Sequence, residues 1–130
     1  MDDALDPLYR DEILDHYDSS PYRGKLENPD YACDMDNPLC GDKIHFELSV
    51  GDDGRIDKVR FDGRGCIISQ ASTSILAEHL EGVPLEEARK LTSADALKIL
   101  GLTLTPTRMK CGLLGWRALQ KAVEEPAADD

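Results

Sequence analysis

The residues with the clearest capacity for chemistry in this chain are its four cysteines, at positions 33, 40, 66 and 111. Cys40 lies in the stretch NPLCGD at positions 37–42, where Gly41 separates it from Asp42. Because glycine permits a tight bend, the thiol and the carboxylate can both reach one ion. The stretch therefore predicts a functional site and not a segment of the core.

Cys66 and Cys111 extend this pair to a candidate set of four metal ligands. Both cysteines are next to a glycine in the sequence, as Cys40 is. Three thiolates and the carboxylate of Asp42 suit a tetrahedral zinc ion. The same donors can hold an iron-sulfur cluster, in which a weaker carboxylate ligand makes the site labile. The residue types predict a metal site at Cys40, Asp42, Cys66 and Cys111, with zinc and iron-sulfur both open.

Other roles for cysteine and histidine compete with this interpretation. Free cysteines are among the most buried residue types and behave as small hydrophobes, but three cysteines beside glycines fit that role poorly. Cys33 is next to Asp34 without a glycine, and we interpret it as a bystander, with an auxiliary thiol role as the alternative. We interpret His16, His45 and His79 as structural. No histidine is near a cysteine in the sequence, so a catalytic Cys–His pair has no support.

Composition and charge exclude several classes of function. The chain has 130 residues, 41% of them hydrophobic, which fits a single domain over residues 1–130 with a polar tail from about residue 124. Its formal net charge of -11 argues against nucleic acid and membrane as partners. We find no apolar run of membrane-spanning length and no signal-peptide pattern. We therefore expect a cytoplasmic protein whose thiols stay reduced.

The first part of the chain predicts a helix followed by a loop. Asp6 is a suitable N-cap, Pro7 suits the first helical position, and the apolar stripe of this helix ends near Ser19. Residues 25–42 have no sustained period and many turn-forming residues, so they predict an irregular loop that delivers Cys40.

The middle of the chain predicts a β-hairpin. Residues 43–50 alternate apolar and polar side chains, the sequence GDDG supplies a turn, and residues 55–61 alternate again. Ile56 is out of phase with this alternation, which predicts a bulge near Asp57.

The second half of the chain predicts helices. We expect one from about residue 69 to Gly82, one over residues 84–91, one that begins with a capping box at residues 92–95, and a last helix over residues 105–123. Strands come early and helices come late, which is typical of an α+β domain.

The three cysteines with glycine neighbours lie at the ends of predicted elements. Cys40 precedes the first strand, Cys66 precedes the second helix, and Cys111 lies about a turn into the last helix. These ends can converge at one edge of the sheet if the hairpin packs under the helices. The positive end of the last helix, with Arg108 and Lys110, favours a thiolate at Cys111. Small residues share its helix face and leave room around it: Gly115, Ala118 and Ala122.

The cysteine motifs resemble those of a known family. NPLCGD, GRGCIISQAS and RMKCGLLGWRAL are similar, in this order, to the three motifs of the U-type iron-sulfur cluster assembly proteins, the family of SufU, IscU and the N-terminal domain of NifU. The opening LYRDEILDHYDSSPYRG also resembles the family's first helix and turn. The resemblance extends from about Leu8 to Val123.

This resemblance implies a fold and a site. The implied fold is a small three-stranded antiparallel sheet with helices packed on one face, with the third strand around residues 64–68. The implied zinc ligands are Cys40, Asp42, Cys66 and Cys111, and Cys40 is implied to accept persulfide sulfur. A zinc-bound thiolate is kept deprotonated but unreactive until it is released.

The SufU branch is the nearer match, because IscU-type members carry a histidine before the third cysteine, where this chain has Lys110. The implied function is a zinc-bound sulfur acceptor that works with a SufS-like cysteine desulfurase and has no independent turnover. SufBCD-type machinery or apo-proteins would receive the sulfur. Two alternatives stay open: a scaffold on which a [2Fe-2S] cluster is assembled and transferred, and a structural zinc domain for protein contacts.

Overall fold

The computed structural model describes residues 11–37, 41–101 and 104–124. In these ranges the elements are α1 (Asp11–Ser19), β1 (Tyr31–Asn37), β2 (Asp42–Val50), β3 (Ile56–Arg64), α2 (Ile67–Leu80), α3 (Leu85–Arg89), α4 (Ser93–Leu100), α5 (Pro106–Gly112) and α6 (Leu114–Glu124). The strands form an antiparallel sheet in the order β1-β2-β3. The predicted α+β class with a three-stranded antiparallel sheet is confirmed.

Three predictions fall partly or wholly outside this description. The predicted beginning of the first helix, with Asp6 and Pro7, lies outside the described residues, although the helix ends at Ser19 as expected. The polar tail beyond Glu124 also lies outside them. That residues 1–130 form a single domain stays a prediction.

The two faces of the sheet differ because side chains alternate along each strand. Ile44, Phe46 and Leu48 of β2 are buried on the face that packs against the helices. Phe46 pairs with Phe61 of β3, and Leu48 pairs with Val59, so these side chains share the same face. The opposite face carries the intervening polar residues of the strands.

The prediction of an irregular loop over residues 25–42 is confirmed for residues 25–30 but wrong for residues 31–37, which form strand β1. β1 pairs with β2 from Tyr31 opposite Leu48 to Asn37 opposite Asp42. The Asp and Asn residues of this segment have a low strand propensity. Backbone hydrogen bonds to β2 outweigh that propensity.

The prediction of the third strand around residues 64–68 is also wrong. Arg64 is the last residue of β3, and α2 begins at Ile67. Gly65, between them, has a φ of 140°, which ends the strand and turns the chain into the helix.

The hairpin of β2 and β3 is confirmed, and so is its bulge. Ser49 pairs with Lys58 but Val50 pairs with Ile56, so Asp57 is the extra residue on β3. The turn is closed by a hydrogen bond from the amide of Gly51 to the carbonyl of Arg55.

The helices that cover the sheet pack closely around α2. α2 is buried along most of its length and contacts α1, α4, α5, α6 and β3. α6 approaches α2 at Gly115, where an added Cβ would overlap the side-chain oxygen of Thr73. Gly115, Ala118 and Ala122 are therefore buried packing residues, and the prediction that they leave room around Cys111 is wrong.

Local signals at the helix ends are partly as predicted. The capping box of α4 is confirmed, with reciprocal hydrogen bonds between Thr92 and Asp95. The predicted last helix is divided in two, because Leu113 has φ -98° and ψ 1° and separates α5 from α6.

Among the described residues, no helix combines the length and the apolar character needed to cross a bilayer.

The segment between α1 and β1 passes over the polar face of the sheet. Arg23 forms a parallel bridge with Phe61 at the outer edge of β3. The amide of Leu26 then donates to Glu47 on β2 at 2.7 Å, and the amide of Asp30 donates to the carbonyl of Leu48 at 2.9 Å. The carboxylate of Glu47 thus holds the crossover in place.

His45 connects this crossover to β1. Its Nδ1 lies 2.8 Å from Asp34, and its Nε2 lies 2.7 Å from Glu47, so both ring nitrogens face a carboxylate. Burial alone would lower the pKa of His45, but the hydrogen bonds to Glu47 and Asp34 outweigh it and raise the pKa above 6.5. Only the protonated ring can donate to both carboxylates.

The pH dependence of stability tests this arrangement through the variant His45→Gln, which cannot titrate. Because the pKa of His45 is raised in the folded state, its stabilisation is complete below about pH 6.5 and is lost as the pH rises through the folded-state pKa. We expect the free energy of unfolding of the unchanged protein to exceed that of the variant most at about pH 5.5 and least at about pH 8.5. Partial exposure of the ring limits the difference to about 1 kcal/mol.

Urea unfolding at several pH values measures this difference. A difference that grows as the pH rises would contradict the assignment of His45 as a donor to both carboxylates.

Candidate metal centre

Three of the four predicted ligands meet where the sheet ends and two helices approach it. Asp42 is the first residue of β2, Cys66 immediately precedes α2, and Cys111 lies in α5. One ligand atom from each of these residues lies within 4.8 Å of the other two. Residues separated by more than twenty positions in the sequence are thus brought to one place.

Asp42 is held by the backbone at the beginning of α2. Its carboxylate is buried, with 1% of the residue exposed. Oδ1 accepts a hydrogen bond from the amide of Cys66 at 2.9 Å, and Oδ2 lies 3.4 Å from the sulfur of Cys66, whose thiol donates to it. The amide fixes one oxygen, and the other oxygen points toward the sulfur.

Gly65 makes this approach possible. It has a φ of 140°, and an added Cβ would overlap Oδ1 of Asp42. A side chain at this position would therefore displace the carboxylate or break its bond to the amide of Cys66. The glycine before Cys66 is required by the close contact as well as by the turn.

The two cysteines differ in their surroundings. Cys111 is buried and packs against Ile68 and Leu104, whereas Cys66 is exposed. Cys111 lies near the end of α5, so the prediction that the positive end of its helix favours a thiolate there is wrong. Cys66 instead occupies the N-cap of α2, where the helix dipole places positive partial charge. The site is accessible from the side of Cys66.

Cys40 lies outside the described residues, so its place in the site stays a prediction. Gly41 alone separates it from Asp42, and covalent geometry limits their Cα atoms to about 7 to 8 Å apart. Gly41 has a φ of 72°, and its amide donates to the carbonyl of Asn37 at 2.8 Å, closing the turn between β1 and β2. This limit is compatible with the prediction that Cys40 is the fourth donor.

The remaining thiol and the histidines do not join this cluster. Cys33 lies in β1 opposite Phe46, and its thiol donates to the carbonyl of Asp34. His16 bonds to Ser74 on α2, and His45 bonds to carboxylates on the polar face of the sheet. Sequence reasoning did not identify the amide of Cys66 as a partner of Asp42. No sequence signal could do so, because the contact depends on the pairing of β2 with β3.

The donor set fits a zinc ion. Ligand atoms on one tetrahedral zinc with bonds of about 2.0 to 2.3 Å are separated by roughly 3.3 to 3.8 Å. The ligand atoms of Asp42, Cys66 and Cys111 are up to 4.8 Å apart. They would have to move closer together by about an ångström to bind one zinc ion. The thiolates also suit an iron-sulfur cluster. That all four predicted residues bind one metal stays a prediction.

The variant Gly65→Ala tests whether the contact with Asp42 supports metal binding. Gly24→Ala is a matched control, since Gly24 has a similar φ of 146° but no atom within 4 Å of an added Cβ. Both variants should lose stability through backbone strain, while only Gly65→Ala should lose zinc affinity, by about 10- to 100-fold. Competition with a chromogenic chelator measures the affinity, and an equal loss in both variants would contradict this account.

Comparisons with known proteins show which family the chain resembles. Residues 8–128 match the family described as NifU-like N terminal domain. The chain is 33% identical to the zinc-dependent sulfurtransferase SufU of Bacillus subtilis, over 92% of this chain and 91% of that protein. It is 34% identical to the iron-sulfur cluster assembly scaffold protein IscU of Thermotoga maritima, over 91% of this chain and 94% of that protein.

Solved structures show the same fold. FiSufU from Fervidobacterium islandicum AW-1, described as a candidate iron-sulfur cluster assembly scaffold for the SUF system, superimposes with a TM-score of 0.74 at 28% identity. The alignment covers 89% of this chain and 96% of FiSufU. The family match, the similarity to both relatives and the meeting of Asp42, Cys66 and Cys111 lead to one conclusion. This chain belongs to the U-type iron-sulfur cluster assembly proteins, the family of NifU-like N-terminal domains.

Proposed function

We propose that this protein acts in iron-sulfur cluster biogenesis as a sulfur acceptor, with Cys40 taking sulfur from the persulfide of a SufS-like cysteine desulfurase. The observation that carries the proposal is the meeting of Asp42, Cys66 and Cys111, with Cys40 two residues from Asp42. The similarity to a protein named a zinc-dependent sulfurtransferase supports it. Zinc is the proposed resident metal, held by Cys40, Asp42, Cys66 and Cys111.

Sulfur transfer requires a thiolate and a persulfide, and its atoms balance without an oxidant. The thiolate of Cys40 attacks the terminal sulfur of the desulfurase persulfide, and a new sulfur–sulfur bond forms. The bond between the two persulfide sulfurs of the desulfurase breaks, and its cysteine leaves as a thiolate. Cys40 then carries the persulfide and passes its terminal sulfur to the next acceptor.

The residues of the site prepare this chemistry. Bound zinc would keep its thiol ligands deprotonated and lower their reactivity until they are released. The amide of Cys66 holds Oδ1 of Asp42 and so orients Oδ2 toward the sulfur of Cys66. The exposed side of the site at Cys66 gives a partner protein access.

A second function is favoured by the relative named an iron-sulfur cluster assembly scaffold. In this alternative the same residues hold a [2Fe-2S] cluster as cargo and release it to apo-proteins, with Asp42 as the weaker ligand. Cys66 and Cys111 supply two of the three required thiolates, and Cys40 supplies the third. A structural zinc domain is a further alternative, since the same ligands would then serve only stability.

The variant Cys40→Ser tests the acceptor function, with Cys33→Ser as the control at a thiol outside the cluster. We expect Cys40→Ser to abolish the increase in desulfurase turnover that the unchanged protein causes, because serine cannot form a persulfide. Cys33→Ser should retain this increase. Sulfide release from cysteine, measured in the presence of each protein, provides the comparison.

A structural zinc domain predicts the opposite result, in which Cys40→Ser is less stable but desulfurase turnover is the same with the variant as with the unchanged protein. Reconstitution with iron, cysteine and desulfurase separates the other two functions. A stable visible chromophore at stoichiometric yield would favour the scaffold over the zinc-bound acceptor.

A further inference from the structure

Three exposed cations are one or two residues away in the sequence from predicted ligands of the metal centre. Lys43 follows Asp42 on β2, Arg64 ends β3 two residues before Cys66, and Lys110 precedes Cys111. Within the described part of the chain, none of the three forms an ion pair with a carboxylate. We call these three residues the cationic rim.

The pairing of two rim residues has a cost for the fold. Lys43 and Arg64 are directly opposite each other in the register of β2 and β3, so their side chains lie on the same face of the sheet. Like charges at directly paired positions destabilise a sheet. Asp36 on β1 is opposite Lys43 and offsets part of this repulsion, but in the described sheet no carboxylate is directly opposite Arg64. The row therefore keeps a net positive charge, which directs attention to an anionic partner.

Charge changes sign along the polar face of the sheet. Residues paired across the three strands form rows of side chains on this face. The row at the end of the sheet that carries Asp42 has two cations and one carboxylate, from Arg64, Lys43 and Asp36. The next row has one histidine and two carboxylates, from His45, Asp34 and Asp62. Positive charge is thus concentrated at the end of the sheet that carries Asp42, in a chain with a net charge of -11.

We propose that the cationic rim docks an acidic surface that surrounds the persulfide-bearing cysteine of the sulfur donor. This inference rests on the proposed function. The thiolate of the acceptor and the persulfide of the donor are both anionic, and the net charge of -11 would further repel an acidic partner. Cations at this end of the sheet offset this repulsion locally. They also orient the donor, because an acidic surface finds concentrated positive charge at this end of the sheet.

Reversal of charge tests the docking role through the double variant Lys43→Glu/Arg64→Glu. Lys110 is left unchanged because it lies on α5 and is not part of the paired row of β2 and β3. The control is Lys58→Glu/Arg117→Glu, which replaces one lysine and one arginine at exposed positions on β3 and α6 and changes the net charge by the same amount. Zinc content and the thermal unfolding of both variants show whether the site and the fold are intact.

The measurement is the KM of persulfide transfer from the cysteine desulfurase to each zinc-loaded protein at low and high salt. We expect the rim variant to raise KM at low salt by about tenfold or more relative to the control, and we expect added salt to reduce this difference. A KM within about twofold of the control would overturn the proposal. A lower KM in the rim variant would also overturn it, since it would indicate a basic docking surface.

A small-molecule persulfide without a carboxylate separates this inference from the proposed function. Cys40 of the unchanged protein and of the rim variant should take sulfur from this donor at similar rates, because no docking surface is involved. If Cys40 of the unchanged protein takes no sulfur from either donor, the proposed function fails. If it takes sulfur from both while the rim variant matches the control, only the docking inference fails.

Discussion

The candidate metal centre depends on the contact between the carboxylate of Asp42 and the backbone of Gly65 and Cys66. Asp42 begins β2, and the other two residues connect β3 to α2, so the contact joins the paired strands to the central helix. The amide of Cys66 fixes Oδ1 at 2.9 Å, and the absence of a side chain at Gly65 allows this distance. The register of the sheet thereby determines where the carboxylate meets the two thiols.

Because the carboxylate of Asp42 is buried, the stability of the site depends on what compensates its negative charge. A buried carboxylate is costly unless hydrogen bonds or a cation compensate for its lost hydration, and Asp42 is almost fully buried. The thiol proton of Cys66 lies between its sulfur and Oδ2 of Asp42. A metal ion at this place would displace the proton, so metal binding should release protons and stabilise the folded state together. The fold and the bound ion thus support each other at this end of the sheet.

The sequence alone was sufficient for the α+β class, the hairpin with its bulge at Asp57, and the capping box of α4. Each of these follows from a local pattern that packing does not override. The sequence also pointed to Asp42, Cys66 and Cys111 as neighbours, through cysteines at element ends and through the family resemblance.

Other features could not be obtained from local patterns. The Asn and Asp residues of β1 have a low strand propensity, so the local sequence does not predict this strand. Its stability comes from pairing with β2. The small residues near Cys111 proved to be packing residues because α6 approaches α2 at Gly115, and a helix-to-helix contact leaves no separate signal in the sequence. The bond between Asp42 and the amide of Cys66 and the opposition of Lys43 and Arg64 both depend on the strand register.

We propose that Cys40, Asp42, Cys66 and Cys111 bind one metal ion where β2 and α2 begin. X-ray absorption at the zinc edge, on protein loaded with one equivalent of zinc, tests it most directly. The account predicts three sulfur ligands at about 2.3 Å and one oxygen ligand at about 2.0 to 2.2 Å. A first shell with fewer than three sulfurs, or one in which histidine nitrogen replaces the carboxylate oxygen, would contradict it.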